Sequence, residues 1–272
     1  MESKTVLVER EGGLAIVTLN RPERMNSLSS ELLSTLLEYM RALAANREVR
    51  CVMLTGSGDR AFSAGGDVNQ MASPRQGEQE GENGNEPMEA AIHGLQRGQE
   101  SAFLLHTMPK PTLAAINGAA AGAGLSLAAA CDLRIASDHA IFTTAFARIG
   151  VSGDYGGSYF LTQLLGTAKA RELYFLCDRL NASEALRIGL VNFVVPKEHF
   201  QKEALTLARR LAEGPPIAFG YMKRNLNLGL AGRALEALNM EAEGMVRTMQ
   251  TEDFFEAAQA FLEKRVPNFN GH

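Results

Sequence analysis

The stretch "FARIGVSGDYGGSY", residues 146 to 159, sets one acid among glycines and aromatics. Asp154 suits three roles. An aspartate after a glycine and shortly before "YFLTQLL" is a good helix N-cap, and Asp-Tyr-Gly-Gly is good turn chemistry. A carboxylate lined by Phe and Tyr is also desolvated, which raises its pKa and fits it to take and return a proton. Two further stretches carry chemistry through the main chain. "FSAGGD", residues 62 to 67, follows a strand with residues small enough for a ligand to reach backbone N–H groups. The plainer reading is a tight turn. "GAAAGAG", residues 118 to 124, opens a helix after a buried strand. Exposed first-turn N–H groups and the helix dipole make such an end a donor site for developing negative charge. Close packing of helix on strand calls for the same small residues.

What is missing narrows the chemistry. The residues around Ser126 read "GLSLA" and those around Ser152 "GVSGD", so there is no nucleophile elbow. No P-loop is present. The spacing in "GAAAGAG" is not that of a dinucleotide fingerprint, and no acid follows at the place of a ribose partner. The five histidines, at 93, 106, 139, 199 and 272, lack metal-ligand spacing, so no metal site is expected. Cys51, Cys131 and Cys177 stand far apart with no C-x-x-C pair, which reads as small buried thiols in a reducing compartment.

The elements that must position these residues follow from the apolar pattern. "TVLVER" and "LAIVTLN" flank "EGG" as a hairpin. "SSELLSTLLEYMRALAAN" puts Leu32, Leu33, Leu36, Leu37, Met40 and Leu43 on one helical stripe behind a Ser cap. "VRCVMLTG" and "KPTLAAIN" are buried strands, and "LRIASDHAIFTT" is two short strands around a turn. "AIHGLQRGQESAFLLHTM" is helical, and strands alternate with helices, which implies βαβ units with a largely parallel sheet. Residues 72 to 90 are rich in Gly, Gln, Glu and Asn and read as a mobile loop bordering the site. Beyond about residue 205 only helices follow. An α/β core over residues 1–204 and a helical region over 205–272 are expected.

The chain has 272 residues, 46% of them apolar and 21% charged, which suits a soluble globular protein. A net charge of −4 gives no electrostatic footprint for nucleic acid or an anionic membrane. No stretch is long and apolar enough to span a bilayer and the first residues are not a targeting signal, so a cytoplasmic location is the default.

Taken in order, "LNRPERMNSLS", "AFSAGGDV", "KPTLAAINGAAAGAG…AAACDLRIAS", "IGVSGDYGGS" and "FLEKR" resemble the enoyl-CoA hydratase/isomerase (crotonase) superfamily from about residue 5 to 269. The resemblance implies a spiral of ββα units with a C-terminal helical module that builds homotrimers, often paired into homohexamers. It implies an acyl-CoA thioester substrate, an enolate intermediate, and no cofactor beyond the CoA that arrives with the substrate. It places the two N–H donors for the thioester oxygen at Ala64 and Ala123, with Gly65, Gly66 and Asp67 completing the substrate-binding set.

The family's hydratases use two glutamates. At the matching positions this chain has Ser126 and, twenty residues on, Phe146. Neither activates water and delivers a proton. Some members keep an aspartate where this chain has Asp154: dienoyl-CoA isomerases, a ring-modifying isomerase of phenylacetate breakdown, and an aryl-CoA dehalogenase. The dehalogenase also has a nearby tryptophan, and this chain has none. The resemblance is nearest to the phenylacetate-type isomerases, with Asp154 as acid and base. The alternatives are a hydratase using Asp154 with an ordered water, and a catalytically silent acyl-CoA-binding subunit. Arg24, Lys223 and Lys264 are the candidate partners of the CoA phosphates.

Overall fold

The computed structural model describes residues 4–67 and 86–272. Strands β1 (Val6–Glu11) and β2 (Leu14–Leu19) form the expected antiparallel hairpin around Gly12 and Gly13. Helix α1 (Ser30–Ala45) starts where the Ser29 side chain accepts a hydrogen bond from the Leu32 N–H, and its apolar stripe is buried at Leu32, Leu36, Leu37, Met40 and Leu43.

From there the chain advances in repeating turns. Strand β3 (Cys51–Gly56) is followed by β4 (Ala61–Ser63) and helix α2 (Glu86–Thr107). Strand β5 (Thr112–Ile116) is followed by β6 (Ala119–Ala121) and helix α3 (Ala123–Ala130). Strand β7 (Leu133–Ser137) is followed by β8 (Ile141–Thr143) and helix α4 (Gly157–Leu176). Strand β9 (Leu180–Asn181), helix α5 (Ala182–Arg187), strand β10 (Phe193–Val195) and helix α6 (Phe200–Ala212) complete the core.

Each turn gives its first strand to one sheet and its second to another. The large sheet runs β1-β2-β3-β5-β7-β10 and is parallel from β2 onward; the small sheet runs β4-β6-β8-β9. This is the ββα spiral. The two strands read around "SDHA" belong to different sheets, because the second strand of each turn stacks on its predecessor rather than on its sequence neighbour. Strands β3 and β5 are apolar nearly throughout because both faces of the large sheet are covered. One face packs Val52, Leu54 and Ile116 against α1, Phe62 and Phe142; the other packs Cys51, Met53 and Leu113 against α6.

Helix α2 begins at Glu86, so the last five residues of the segment read as a loop are helical; the remainder of that segment lies outside the described residues. The boundary expected at 204/205 falls inside α6, whose Phe200, Ala204, Ala208 and Ala212 are buried on the sheet. Helices α7 (Pro216–Leu230), α8 (Ala234–Thr248) and α9 (Glu252–Glu263) follow. The chain end is tied back: Arg50 donates to the carbonyls of Phe269 at 2.7 Å and Asn270 at 3.0 Å. All three cysteines are buried and free. Among the described residues no helix is long and apolar enough to cross a membrane.

Candidate active site

The glycine-rich loop after β4 is fixed by the segment before α1. Ser63 Oγ donates to the Asn26 carbonyl at 2.8 Å and accepts from the Gly65 N–H at 3.2 Å. Leu28 N–H donates to Gly65 O at 2.8 Å, and Asp67 N–H to Leu28 O at 3.3 Å. Asn26, fully buried, donates to the Ala61 carbonyl at 2.8 Å and accepts from the Arg21 N–H at 3.0 Å. The "NRPERMNSLS" segment is thus a clamp on the loop, a role that its turn residues alone did not reveal.

This clamp corrects the donor assignment. The Ala64 N–H donates to the Met25 carbonyl at 2.9 Å, so it has no hydrogen to offer a ligand. The N–H groups of Gly65 and Asp67 are engaged as well. Gly66 is the residue of "AGGD" whose N–H has no partner among the described residues. Asp67 also departs from its expected role as a substrate contact: its carboxylate is buried and ion-paired to Arg21 at 2.9 Å. It braces the loop from behind.

The second glycine-rich stretch meets the first. Strands β4 and β6 pair in parallel through Ala61↔Ala119 and Ser63↔Ala120. Gly65 has φ +88°, and a Cβ there would lie 2.7 Å from the Ala121 carbonyl oxygen and 3.4 Å from the Ala123 nitrogen, so only glycine permits the approach. Ala123 is the first residue of α3, where an N–H has no acceptor within the helix. The donors were expected at Ala64 and Ala123; the structure sets Gly65, next to Ala64, against the start of α3 at Ala123.

Asp154 stands beyond them. It is not a helix cap: the N-cap of α4 is Gly156, with no side-chain bond. Its backbone does form a sharp turn, with Tyr155 at φ +51° between Gly153 and Gly156. Its Oδ1 is buried without a hydrogen-bond partner, and burial pushes the carboxyl pKa up to about 6. The loop is joined to the glycine-rich stretches through aromatic rings. A Cβ on Gly122 would lie 3.6 Å from the Phe146 ring, and one on Gly153 would lie 3.4 Å from the same ring and 2.9 Å from that of Tyr174. Phe146 and Tyr174 stack with centroids 5.7 Å apart. A side chain at Gly157 would collide with Ser126 Oγ and come within 2.6 Å of the Tyr174 hydroxyl. Ser126 is buried and donates to the Gly122 carbonyl at 3.3 Å, so it is committed to its own helix.

Tyr155, also buried, turns its hydroxyl toward Gly98 on α2. With Gly156 it walls a groove of about 710 Å³ whose other sides include Phe103, His106 and Phe160. A larger groove of about 1060 Å³ lies elsewhere, between Arg50, Lys110 and Tyr221, and touches none of these residues.

Of the candidate phosphate partners, Lys223 is overturned. It is buried, and its Nζ donates to Asp132 at 2.7 Å, to the Leu105 carbonyl at 2.8 Å and to that of Lys110 at 3.2 Å. Arg24 and Lys264 are exposed. Among the described residues no group of three His, Cys, Asp or Glu is arranged to hold a metal.

The family model described as enoyl-CoA hydratase/isomerase matches residues 9–272. A short-chain-enoyl-CoA hydratase of Clostridium acetobutylicum is 34% identical, over 97% of each chain. A 1,2-epoxyphenylacetyl-CoA isomerase of Escherichia coli is 34% identical, over 98% of each. The crystal structure of an enoyl-CoA hydratase from Bacillus anthracis superposes with a TM-score of 0.89 at 31% identity, covering 98% of this chain and all of that one.

Proposed function

The chain belongs to the enoyl-CoA hydratase/isomerase family, and from that premise we propose that its reaction is an isomerisation: a double bond shifted, or an epoxide or ring rearranged, in an acyl-CoA thioester through an enolate. The observation that carries this reading is the state of the acids. Ser126 and Phe146 leave the site without the pair that hydration needs, while Asp154 is half-buried with a pKa near the working range.

In this reading the thioester oxygen lies between the N–H groups of Gly66 and Ala123. As the enolate forms, negative charge grows on that oxygen, against two backbone donors and the N-terminal end of α3. One such donor is worth about 2.7–4 kcal/mol in the transition state. Asp154 takes a proton from one carbon; the electron pair of that C–H bond enters the enolate. The same proton then returns to another carbon on the same face. A single carboxyl group suffices, because no water is added. The chemistry calls on no metal or redox group, and CoA enters as part of the substrate.

Hydration through Asp154 and an ordered water is the second reading, favoured by the hydratase names of several relatives. Turnover in heavy-oxygen water separates the two. The isomerase product carries no solvent oxygen, whereas a hydratase product carries one atom in its new hydroxyl. Self-association through the C-terminal helices, as a homotrimer or homohexamer, accords with the exposed Leu235, Leu238, Phe255, Phe261 and Leu262 on α8 and α9.

A further inference from the structure

Among the described residues three buried side-chain atoms lack a hydrogen-bond partner, and two of them share this site: Asp154 Oδ1 and the Tyr174 hydroxyl. An unsatisfied buried group costs about 1–3 kcal/mol, and native proteins retain few. The other hydroxyls nearby are bonded or point elsewhere. Ser126 donates to Gly122, Thr144 donates to the Leu173 carbonyl at 2.6 Å, and Tyr155 turns to α2. The Tyr174 hydroxyl lies against both flanks of the Asp154 turn, 3.3 Å from a Cβ placed on Gly153 and 2.6 Å from one on Gly157. Burial, and after it the Asp154 charge, push the Tyr174 pKa up to about 12, so the phenol keeps its proton and remains a donor.

The two atoms are not bonded to each other in this structure, and we infer that Tyr174 is the positioning residue of Asp154: on ionisation the carboxylate turns its Oδ1 onto the phenol and accepts from it, leaving Oδ2 to face the acidic carbon of the substrate. Oδ2 takes the substrate proton and returns it; Tyr174 loses none. Phe146 gains a role here, since its ring stacks on Tyr174 and holds the phenol against the turn. Gly153 and Gly157 leave the room that the hydroxyl fills. The titratable groups facing Asp154 are Tyr155 from its own loop and Tyr174 from α4, and burial is what moves the Asp154 pKa.

The inference rests on Asp154 as proton carrier but is tested apart from turnover. Carbon NMR of the full-length protein follows the Asp154 carboxyl, with Asp154→Asn identifying its signal. Tyr174→Phe should raise the Asp154 pKa by about one unit, because the ionised form loses its donor. A ring-fluorinated tyrosine placed at position 174, a stronger donor of the same shape, should lower it, and serves alone where Tyr174→Phe fails to fold. In kinetics, Tyr174→Phe should lower kcat and move the acid limb upward while KM stays near its original value. An unmoved Asp154 titration in either folded variant overturns the inference. A moved titration, with turnover indifferent to Asp154, would instead defeat the proposed reaction and leave the contact standing.

Discussion

Arg21 donates to Asp67 Oδ2 at 2.9 Å, with both side chains largely out of solvent, and so binds the segment before α1 to the loop that carries Gly66. The pair does its work behind the site rather than in it. Removing Arg21 takes this cation from the buried Asp67 carboxylate, and breaking a buried pair costs about 3–5 kcal/mol in stability. Arg21→Met should therefore lower the urea midpoint. It should also depress kcat more than KM, since misplacing Gly66 weakens an interaction made mainly in the transition state. A variant as active and as stable as the parent would show that the clamp is dispensable.

Asp154→Asn should stabilise the protein while disabling it. The folded carboxyl titrates near 6 against an ordinary 3.8, so burying its charge opposes folding. The sign follows directly. Below about pH 4 both states are protonated and the penalty is absent; above about pH 6 both are ionised and it is fully present. Wild-type stability contributed by this group falls as pH rises through that window. Urea unfolding should find Asp154→Asn more stable by about 1–3 kcal/mol at neutral pH, with no gain near pH 4.

The same titration sets the pH dependence of turnover. The base works only when ionised, so kcat/KM should rise through an acid limb near pH 6 and then level off, with about tenfold lost per unit below it. A limb near pH 4 would mean that Asp154 is solvated in the working enzyme.

Lys223 ties α7 to the core through Asp132 and two carbonyls. Lys223→Met should destabilise the fold by about 3–5 kcal/mol, because Asp132 would lose its buried cation. The KM for an acyl-CoA should not change in the fraction that remains folded. Arg24→Ala, at an exposed cation near the clamp, is the better probe of the CoA phosphates and should raise KM.

Much of this was legible in the chain. Strands apolar on both faces, such as "CVMLT" and "TLAAI", announce a covered parallel sheet, and the Ser29 cap and leucine stripe announce α1. Asp154 among aromatics fitted a desolvated acid, but it fitted a turn residue and a helix cap as well. The donor at Gly66 was not legible. The motif shows that N–H groups are exposed to choice, but which one is spent depends on Met25, which packs there only once the chain has folded. Lys223 and Asp67 misled for a related reason: each was read as a ligand contact, and the partner that claims it, Asp132 or Arg21, arrives from a distant segment. Tyr174 left no mark at all. A tyrosine within a helix is ordinarily core, and only its orphaned hydroxyl sets it apart.

Proton transfer at carbon tests the account most directly. An unsaturated acyl-CoA is incubated with the protein in deuterated water, and deuterium entering the carbons next to the thioester and beyond the double bond is followed by mass spectrometry. Wild type should exchange and isomerise, and Asp154→Asn should lose about 10²–10⁴-fold of both rates. Exchange by Asp154→Asn at the wild-type rate, or none by the wild type, would contradict the claim that this carboxyl group moves the proton.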